Sequence, residues 1–472
     1  MNWLSNIIDT LNFYLWSYVL IAMLVGLGLW FTFRTRFVQI RCLPDMFRVI
    51  TERGSAREGH ISSFQAFCVS TASRVGVGNI AGIAIAVMTG GPGAVFWMWV
   101  IATIGAATGF VESTLAQVYK VPKKTGGFAG GPAYYIRNVL KSPFFAGLFA
   151  VLISVTYGLI FNSVQANTIG LSLKTTFGID PQVTGIAVAL LTAAVIFGGL
   201  NRIARVVSVL VPVMAGAYLI VALVVTLMNI TELPHVLAQI FRCAFDFNAV
   251  LGAGFGMALM TGIKRGLFSN EAGMGAVPNA AATADTSHPA KQGLVQALGV
   301  YFDTLIVCSA SAMLVLLTPG WADSGKTGIE LIQLVLSEQL GGWTNAFISV
   351  TVLLFAFSSV IGNYFYGEIN MGFISRSPAA IWIFRGLVVA MVYLGTVMSL
   401  SLAWNLADLF MALMAMVNLV AIARLGHIAF QTLEDYVLQR RRGIASPEFN
   451  PEILPSKEGV FAWPRRRGEA EA

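Results

Sequence analysis

The sequence predicts an all-α polytopic membrane protein with eleven transmembrane helices, and three observations lead to that class. Residues of the AVILMFWYC set make up 56% of the 472 residues and charged residues only 11%, whereas a typical soluble domain carries about 25% charged residues. The mean hydropathy is +0.74. Eleven apolar segments are long enough to cross a bilayer, which takes about 20 residues. Soluble enzymes, nucleic-acid modules and disordered regulators are thereby excluded.

The predicted spans follow one another through most of the chain. They cover residues 12–33, 61–89, 92–119, 143–167, 181–199, 206–228, 248–283, 292–317, 343–366, 378–399 and 402–423. With the N-terminus outside, 23 of the 30 Lys and Arg residues fall on the inner side. Because cytoplasmic loops carry the excess of Lys and Arg, we expect a cytoplasmic C-terminus in a bacterial inner (plasma) membrane.

The net charge of +7 indicates the lipid bilayer as a partner and not nucleic acid. The basic residues lie in the predicted cytoplasmic loops and in a tail that includes Arg440–Arg442 and Arg465–Arg467. Such clusters bind anionic headgroups. We expect the last part of the tail, after about residue 443, to be mobile because it is rich in charges and proline.

The sequence carries no pattern for catalysis or for a bound cofactor. Its four cysteines lack CxxC and CxxH spacing, so neither a metal framework nor a disulfide is expected. HExxH and GxSxG are missing as well, and the four histidines lie in loops or at span edges. We therefore expect no enzyme activity and no cofactor, and the sequence identifies no protein partner.

An internal repeat divides the ten spans that follow the first. Asn-x-Ala-Gly begins at Asn79 in span two and again at Asn270 in span seven, and the same offset relates Glu112 to Asp303. Two consecutive units of five spans are inverted relative to each other in the bilayer. The predicted parts are residues 1–60 with an extra helix and a basic loop, 61–228 and 248–425 as the two repeats, and 426–472 as the tail.

Two helix breaks are predicted at matching places in the repeats, Val75–Asn79 and Phe268–Gly275. Glycine and asparagine are poor helix formers, and a broken helix in lipid is tolerated only where it is buried or lines a cavity. Its free amides suit a carboxylate and its free carbonyls suit a cation. Close packing of small residues is the alternative interpretation, but the matched pair favours a binding site for a zwitterion or a cation.

Other polar residues within spans allow two interpretations each. Ser358 and Ser359 follow Phe355 in span nine, where their hydroxyls could bind a hard cation or bond back to the preceding turn. Gln165 could bind a substrate or bridge two helices. Ionisable groups within spans face a pathway or form ion pairs; these are Arg74, Glu112, Lys264, Arg265, Glu271, Asp303, Glu368 and Asp408.

The sequence resembles the alanine or glycine:cation symporter family from about residue 20 to residue 425. Four motifs carry the resemblance: Ser70-Thr-Ala-Ser-Arg-Val-Gly-Val-Gly-Asn-Ile-Ala-Gly, Gly90-Gly-Pro-Gly-Ala-Val-Phe-Trp-Met-Trp, Gly130-Gly-Pro-Ala-Tyr-Tyr-Ile and Arg265-Gly-Leu-Phe-Ser-Asn-Glu-Ala-Gly-Met-Gly. The resemblance implies a LeuT-type fold, in which spans two to eleven form the inverted five-plus-five core after one extra N-terminal helix. It also implies sodium-coupled uptake of alanine or glycine.

The string Val75-Gly-Val-Gly-Asn79 further resembles the unwound first core helix of neurotransmitter:sodium symporters. This resemblance implies a sodium site formed by the carbonyls of Ala72, Val75 and Phe355 and the hydroxyls of Ser358 and Ser359, with Asn79 as the alternative ligand. The breaks predict a substrate site that comprises Gly76, Val77, Gly78, Gln165, Phe268, Ser269, Asn270, Gly273 and Met274. Two rivals stay open. The same transporter could be driven by protons on Glu112 or Asp303, or the protein could be a gated channel.

Overall fold

A computed structural model describes residues 2–52, 60–123, 126–198, 200–246 and 254–463, and these are almost entirely helical. The α-helices are α1 (Asn2–Tyr14), α2 (Ile21–Arg34), α3 (Val38–Arg41), α4 (Leu43–Thr51), α5 (Ser63–Arg74), α6 (Val77–Gly90), α7 (Gly93–Val118), α8 (Pro132–Asn138), α9 (Pro143–Val155), α10 (Asn162–Phe177), α11 (Pro181–Ile196), α12 (Leu200–Met228), α13 (Leu233–Ala244), α14 (Gly254–Asn270), α15 (Val277–Ala281), α16 (Pro289–Val300), α17 (Ser309–Leu316), α18 (Gly328–Leu340), α19 (Trp343–Ile374), α20 (Pro378–Val397) and α21 (Leu400–Arg441).

Short segments join these helices. The π-helical segments Leu15–Leu20, Thr156–Phe161 and Tyr301–Cys308 make three neighbouring pairs continuous, and Trp321–Ser324 and Pro451–Ile453 are 3₁₀ turns. Strands β1 (Val121–Pro122) and β2 (Phe128–Ala129) pair antiparallel between α7 and α8.

The protein is a multi-pass membrane protein. Among the described residues, nine helical stretches are long and apolar enough to cross a bilayer, and α11 is a shorter apolar helix. The nine are Asn6–Arg34, Ser63–Gly90, Gly93–Val118, Pro143–Phe177, Arg202–Met228, Pro289–Leu316, Trp343–Ile374, Pro378–Val397 and Leu400–Arg441. The first residues of the predicted span 248–283, up to residue 253, lie outside the described residues.

Both helix breaks form, but they are narrower than predicted, because Val77–Asn79 already belong to α6 and Phe268–Asn270 to the end of α14. Between α5 and α6, Val75 and Gly76 leave the helical region, with φ/ψ of −83°/82° and −133°/−153°. Between α14 and α15, Gly273 and Gly275 adopt φ of +87° and +81°, which glycine tolerates at no steric cost. The second break also holds Glu271 at φ +55°, a conformation that is strained for a residue with a side chain.

The helices that carry the breaks lie in the middle of the packed bundle. Helix α7 packs against α14 and α16, and α19 packs against α5 and α12. The first break is therefore enclosed by later parts of the chain.

Two surface expectations differ from the structure. An amphipathic pattern at residues 325–339 predicts a helix on the outer surface; α18 forms there, but Ile329, Leu331 and Ile332 are buried, because this helix packs against α6 and α19. The tail up to residue 463 is also packed, with Phe449 buried. The expectation of a mobile tail is wrong for that segment, and Arg465–Arg467 lie outside the described residues.

Candidate functional site

The predicted site residues all lie inside the bundle. Every one of them is buried, and even Phe268, one of the less deeply buried side chains of the set, is only 5% exposed. The two breaks are therefore shielded from solvent in this structure.

Four of the five predicted sodium ligands form two separate hydrogen-bonded pairs, and the pair within α19 is the bond back to the preceding turn that the alternative interpretation predicts. Ser359 Oγ donates a hydrogen bond to the carbonyl oxygen of Ala72, at 2.8 Å, and Ser358 Oγ donates to that of Phe355, also at 2.8 Å. The fifth, Val75, lies one turn after Ala72 at the end of α5. Hydroxyl and carbonyl oxygens are the ligands that a hard cation prefers, and a hydroxyl that now donates can rotate its hydrogen away from an ion.

A glycine of α19 lets this cluster form. A Cβ at Gly362 would lie 2.7 Å from the backbone nitrogen of Ser73, so α19 and the end of α5 meet backbone to backbone. Gly362 lies one turn beyond Ser358, on the same face of the helix. The sequence analysis did not single out Gly362, although its position one turn after Ser358 could have indicated a close approach of another helix.

Gln165 closes the first break. Its Oε1 accepts a hydrogen bond from the backbone N–H of Val77, at 3.1 Å, and thereby satisfies one free amide at the start of α6. A Cβ at Gly76 would overlap Ser359 Oγ and lie 2.9 Å from Gln165 Oε1. The predicted cation cluster and this end of the predicted substrate site are therefore adjacent.

An aromatic stack covers the first break. A Cβ at Gly78 would lie 2.5 Å from the Phe268 ring, so that ring rests directly on the glycine. Phe268 is held in turn between Phe161 and Trp404, with ring centroids 4.7 and 4.8 Å away. Sequence analysis missed Trp404, because no motif connects α21 to the breaks.

Polar side chains connect the two breaks on another side. Asn79 Nδ2 donates to Ser269 Oγ at 3.2 Å and to the carbonyl of Asp303 at 3.1 Å, and Asn270 Nδ2 donates to Thr304 Oγ1 at 3.2 Å. Asn79 Oδ1 is buried and has no hydrogen-bond partner in the described part of the chain. It is therefore a free acceptor for an ammonium group or an ion.

A protein carboxylate already occupies the amides of the second break. Glu112 accepts hydrogen bonds from the N–H groups of Gly273 and Gly275, both at 3.1 Å, and from Asn418 Nδ2 at 2.8 Å. The Met274 sulfur lies 4.0 Å from the Tyr157 hydroxyl. Contacts from α7, α21 and the Thr156–Phe161 segment therefore hold Gly273 and Met274 in place. The carboxylate of a bound solute would have to bind the backbone amides of the first break instead.

Two buried ion pairs flank the site. Arg74 Nε lies 2.8 Å from Asp303 Oδ2, with both side chains fully buried. Arg265 Nη2 lies 2.6 Å from Asp408 Oδ2, and its guanidinium lies over the Trp404 ring at 4.6 Å. The second ion pair therefore packs against the aromatic stack, on the side that faces the predicted outer surface.

The fold defines the class of protein. It superposes on the manganese transporter of Eremococcus coleocola with a TM-score of 0.54 at 12% identity, over 84% of this chain and 93% of that chain. A nucleobase-cation-symport-1 family transporter gives a TM-score of 0.50 at 15% identity, over 83% and 82%. This likeness concerns the fold alone, which is that of LeuT-like membrane transporters.

The chain belongs to the sodium:alanine symporter family, whose model matches residues 1–451. It is 48% identical to the "Probable sodium/glutamine symporter GlnT" of Bacillus subtilis, over 98% of this chain and 96% of the relative. It is 36% identical to the "Sodium/proton-dependent alanine carrier protein" of Bacillus sp. (strain PS3), over 90% and 100%, and 35% identical to the "Sodium/alanine symporter AgcS" of Methanococcus maripaludis, over 90% and 95%. The protein is therefore an amino-acid symporter and not an enzyme.

Proposed function

We propose that this protein takes up alanine or glycine together with sodium, by alternating access around the two helix breaks. The observation that carries the proposal is the contact between Ser359 and Ala72, which joins a set of oxygen ligands in α19 to the first break. An ion bound there would fix the end of α5. Because Gly76 lies between that cluster and Gln165, the same ion would order the substrate site.

The proposed topology has eleven membrane-spanning helices in a bacterial inner membrane, with the N-terminus outside and the C-terminus in the cytoplasm. To the nine long apolar stretches it adds α11, which has 16 residues, and the broken pair of α14 and α15. A 16-residue helix rises about 24 Å, which a locally thinned bilayer accommodates. The two inverted repeats are residues 61–228 and 248–425, after one extra helix.

The proposed substrate site favours a small side chain. The carboxylate would bind the amides at the start of α6 in place of Gln165 Oε1, and the ammonium would face free oxygens such as Asn79 Oδ1. Phe268 lies against Gly78 with no room for a Cβ between them, so a substrate side chain must displace the ring, and we expect it to make room for little more than a methyl group. The proposed residues are Gly76, Val77, Gly78, Gln165, Phe268, Ser269, Asn270, Gly273 and Met274.

The proposed sodium ligands are Ala72, Val75, Phe355, Ser358 and Ser359, with Asn79 as the alternative. Four of them, Ala72, Phe355, Ser358 and Ser359, already lie in hydrogen-bonded pairs. A carboxylate is missing from this set, so sodium affinity rests on the number and spacing of neutral oxygens. Such a site binds a monovalent ion without the charge that would hold a divalent ion.

The second candidate is the same transporter driven by protons, which the name of the Bacillus PS3 relative supports. Glu112 and Asp303 are its predicted carriers. In the structure Glu112 receives three hydrogen bonds from nitrogen donors and Asp303 pairs with Arg74. Both carboxyl groups are therefore engaged in holding the closed arrangement.

Counterflow in proteoliposomes tests the proposal. Vesicles loaded with each unlabelled amino acid are placed in labelled alanine, with sodium or with choline as the cation. We expect alanine and glycine to drive accumulation of label only in sodium, and leucine and phenylalanine to fail. Because one relative is named a glutamine symporter, glutamine belongs in the panel, and glutamine driving counterflow better than alanine would contradict the proposed substrate. Equal counterflow in choline would contradict sodium coupling.

A further inference from the structure

Glu271 connects the two helix breaks directly. It lies within the second break and is 1% exposed, and its Oε1 lies 2.8 Å from the hydroxyl of Ser73 near the end of α5. Its other oxygen, Oε2, is buried and has no hydrogen bond of normal geometry to any described residue. The proposed sodium and substrate sites use neither Ser73 nor Glu271.

A chain of hydrogen bonds leads from this contact to a backbone carbonyl. Asn162 Nδ2 donates to the carbonyl of Gly158 at 3.0 Å. Asn363 Nδ2 donates to Asn162 Oδ1, also at 3.0 Å, and Ser73 Oγ lies 2.6 Å from Asn363 Oδ1. The links therefore run in order from the π-helical segment through α10 and α19 to α5.

The direction of this chain is fixed at its far end. A carbonyl oxygen only accepts, so Asn162 must present its amide nitrogen to Gly158 and its oxygen to Asn363. Asn363 in turn must present its nitrogen to Asn162 and its oxygen to Ser73. The single hydroxyl hydrogen of Ser73 is therefore directed to Asn363.

The hydrogen between Ser73 and Glu271 then has to come from Glu271. Two oxygens 2.8 Å apart with no hydrogen between them repel each other, and a buried carboxylate with an unpartnered oxygen is costly. A protonated carboxyl donates to Ser73 Oγ, which removes the repulsion, and it leaves no buried negative charge on the group. Glu112 shows the contrast, because three nitrogen donors surround it.

We propose that Glu271 is a proton-binding site that is occupied when the two breaks are closed against each other. The inference rests on the proposed function, since it assigns a second coupling ion to the same alternating-access cycle. In the closed state the carboxyl carries one proton and donates it to Ser73. When the breaks separate toward the cytoplasm, water replaces Ser73, and the carboxyl gives the proton to that water and becomes a carboxylate. It takes up one proton from the outer solution before the next closure.

The charged and titratable groups around Glu271 fit this role. Arg74 on α5 would favour a carboxylate, but Asp303 pairs with it at 2.8 Å. Two neutral hydroxyl groups also face the contact, that of Tyr157 toward Glu271 and that of Tyr366 on α19 toward Ser73. Glu112 on α7, which also interacts with Tyr157, adds a second negative charge. Positive charge near Glu271 is thus already matched.

Proton movement in proteoliposomes tests the proposal. A pH-sensitive dye is trapped inside vesicles, the sodium gradient is held constant, and alanine is added outside. We expect alanine to acidify the interior in the wild type. In Glu271→Gln, whose amide also donates to Ser73, we expect sodium-dependent alanine exchange to persist, while the acidification and the pH dependence of exchange are lost. Glu338→Gln, on an exposed position of α18, is the matched control and should behave as the wild type.

Each other outcome decides against one claim. If wild-type protein takes up alanine with sodium but moves no protons, Glu271 is not a proton site and the proposed function stands; this measurement needs no variant to fold. Alanine-driven acidification that survives in Glu271→Gln also overturns the proposal. If Glu271→Gln instead lowers the steepness of the sodium dependence, the site binds a second sodium ion and the proton proposal fails. Proton movement without any sodium dependence would contradict the proposed function and leave the Glu271 site intact.

Discussion

At Gly78, the missing side chain lets the Phe268 ring lie directly against the backbone. A Cβ would lie 2.5 Å from Phe268 Cδ1 and 2.7 Å from Cε1, distances that real side chains essentially never show. Phe268 cannot swing aside easily, because Phe161 and Trp404 pack on it. The backbone at residue 78 and the Phe268 ring are therefore matched surfaces.

We expect Gly78→Val to abolish sodium-dependent alanine uptake while expression and membrane insertion are retained. Extra methyl groups in a packed site cost about 1–3 kcal/mol, and here the cost falls on the closed state. The control is Gly147→Val in α9, where a Cβ would meet nothing within 4 Å. Uptake of labelled alanine, normalised to the amount of protein in the membrane, is the measurement. Normal uptake by Gly78→Val would show that Gly78 serves helix packing only.

Single residues of the site were predictable where their chemistry is unusual for a membrane span. Glycine pairs, Asn79 and adjacent serines are conspicuous in an apolar helix, and the structure places them at the breaks or in α19. The partners were not predictable, because Ser73 meets Glu271 and Asn363 across 198 and 290 residues of sequence. No local pattern records such a contact.

Among the elements, the tail after α21 is held in place against the ends of α7 and α16. Trp463 Nε1 donates to the carbonyl of Gln117 at 3.0 Å, and Phe449 packs edge-on against the ring of His288. His288 caps the start of α16, because its Nδ1 accepts a hydrogen bond from the N–H of Ala290 at 3.2 Å. Its Nε2 lies 3.1 Å from Asp435 Oδ2. The tail thus covers the start of α16.

Protonation of His288 should loosen this arrangement. Burial lowers the pKa of His288 below the ordinary value of 6.5, while its hydrogen bond and charge interaction with Asp435 raise it by less and Lys291 lowers it further. The folded state therefore favours the neutral ring. The stability that neutral His288 contributes is complete above the pKa of this residue in the unfolded chain. It is lost as the pH falls below that pKa, because the unfolded state binds the proton more readily. A protonated Nδ1 also can no longer accept from Ala290.

We expect the thermal unfolding midpoint in detergent to fall between pH 8 and pH 5.5 by more in the wild type than in His288→Asn. Asparagine keeps an acceptor for the start of α16 but does not titrate. Loss of the helix cap on protonation destabilises the wild type by about 1 kcal/mol. Static light scattering during a temperature ramp at each pH gives the midpoints. Parallel pH dependence in both proteins would contradict a neutral buried His288.

The existence and order of the elements could be predicted better than their surroundings. Hydropathy locates helices because each span must satisfy its own backbone in lipid, and within the described residues each predicted segment coincides with a helix or a broken pair. Which elements pack against a helix depends on parts of the chain that are distant in sequence. The amphipathic pattern of α18 predicts its helical form but not that α6 and α19 bury its apolar side.

For the whole molecule, the closed arrangement explains why sodium and alanine should bind together. Residues of α5, α6, α14 and α19 meet at one place, and each proposed ligand would pull the same elements into the same arrangement. Coupling between two sites is reciprocal. Sodium must therefore tighten alanine binding by the same factor as alanine tightens sodium binding.

The most direct test of the account is a pair of titrations, sodium at fixed alanine and alanine at fixed sodium, on the wild type and on Ser358→Ala/Ser359→Ala. Loss of a charge-assisted contact costs about 1.5–3 kcal/mol, so we predict that the double variant needs roughly tenfold more sodium, or more, for half-maximal binding. Alanine affinity should fall with it at low sodium and recover at saturating sodium. The double variant Ser375→Ala/Ser377→Ala, between α19 and α20, should match the wild type. An unchanged sodium dependence in Ser358→Ala/Ser359→Ala would contradict the proposed site and place the coupling ion elsewhere.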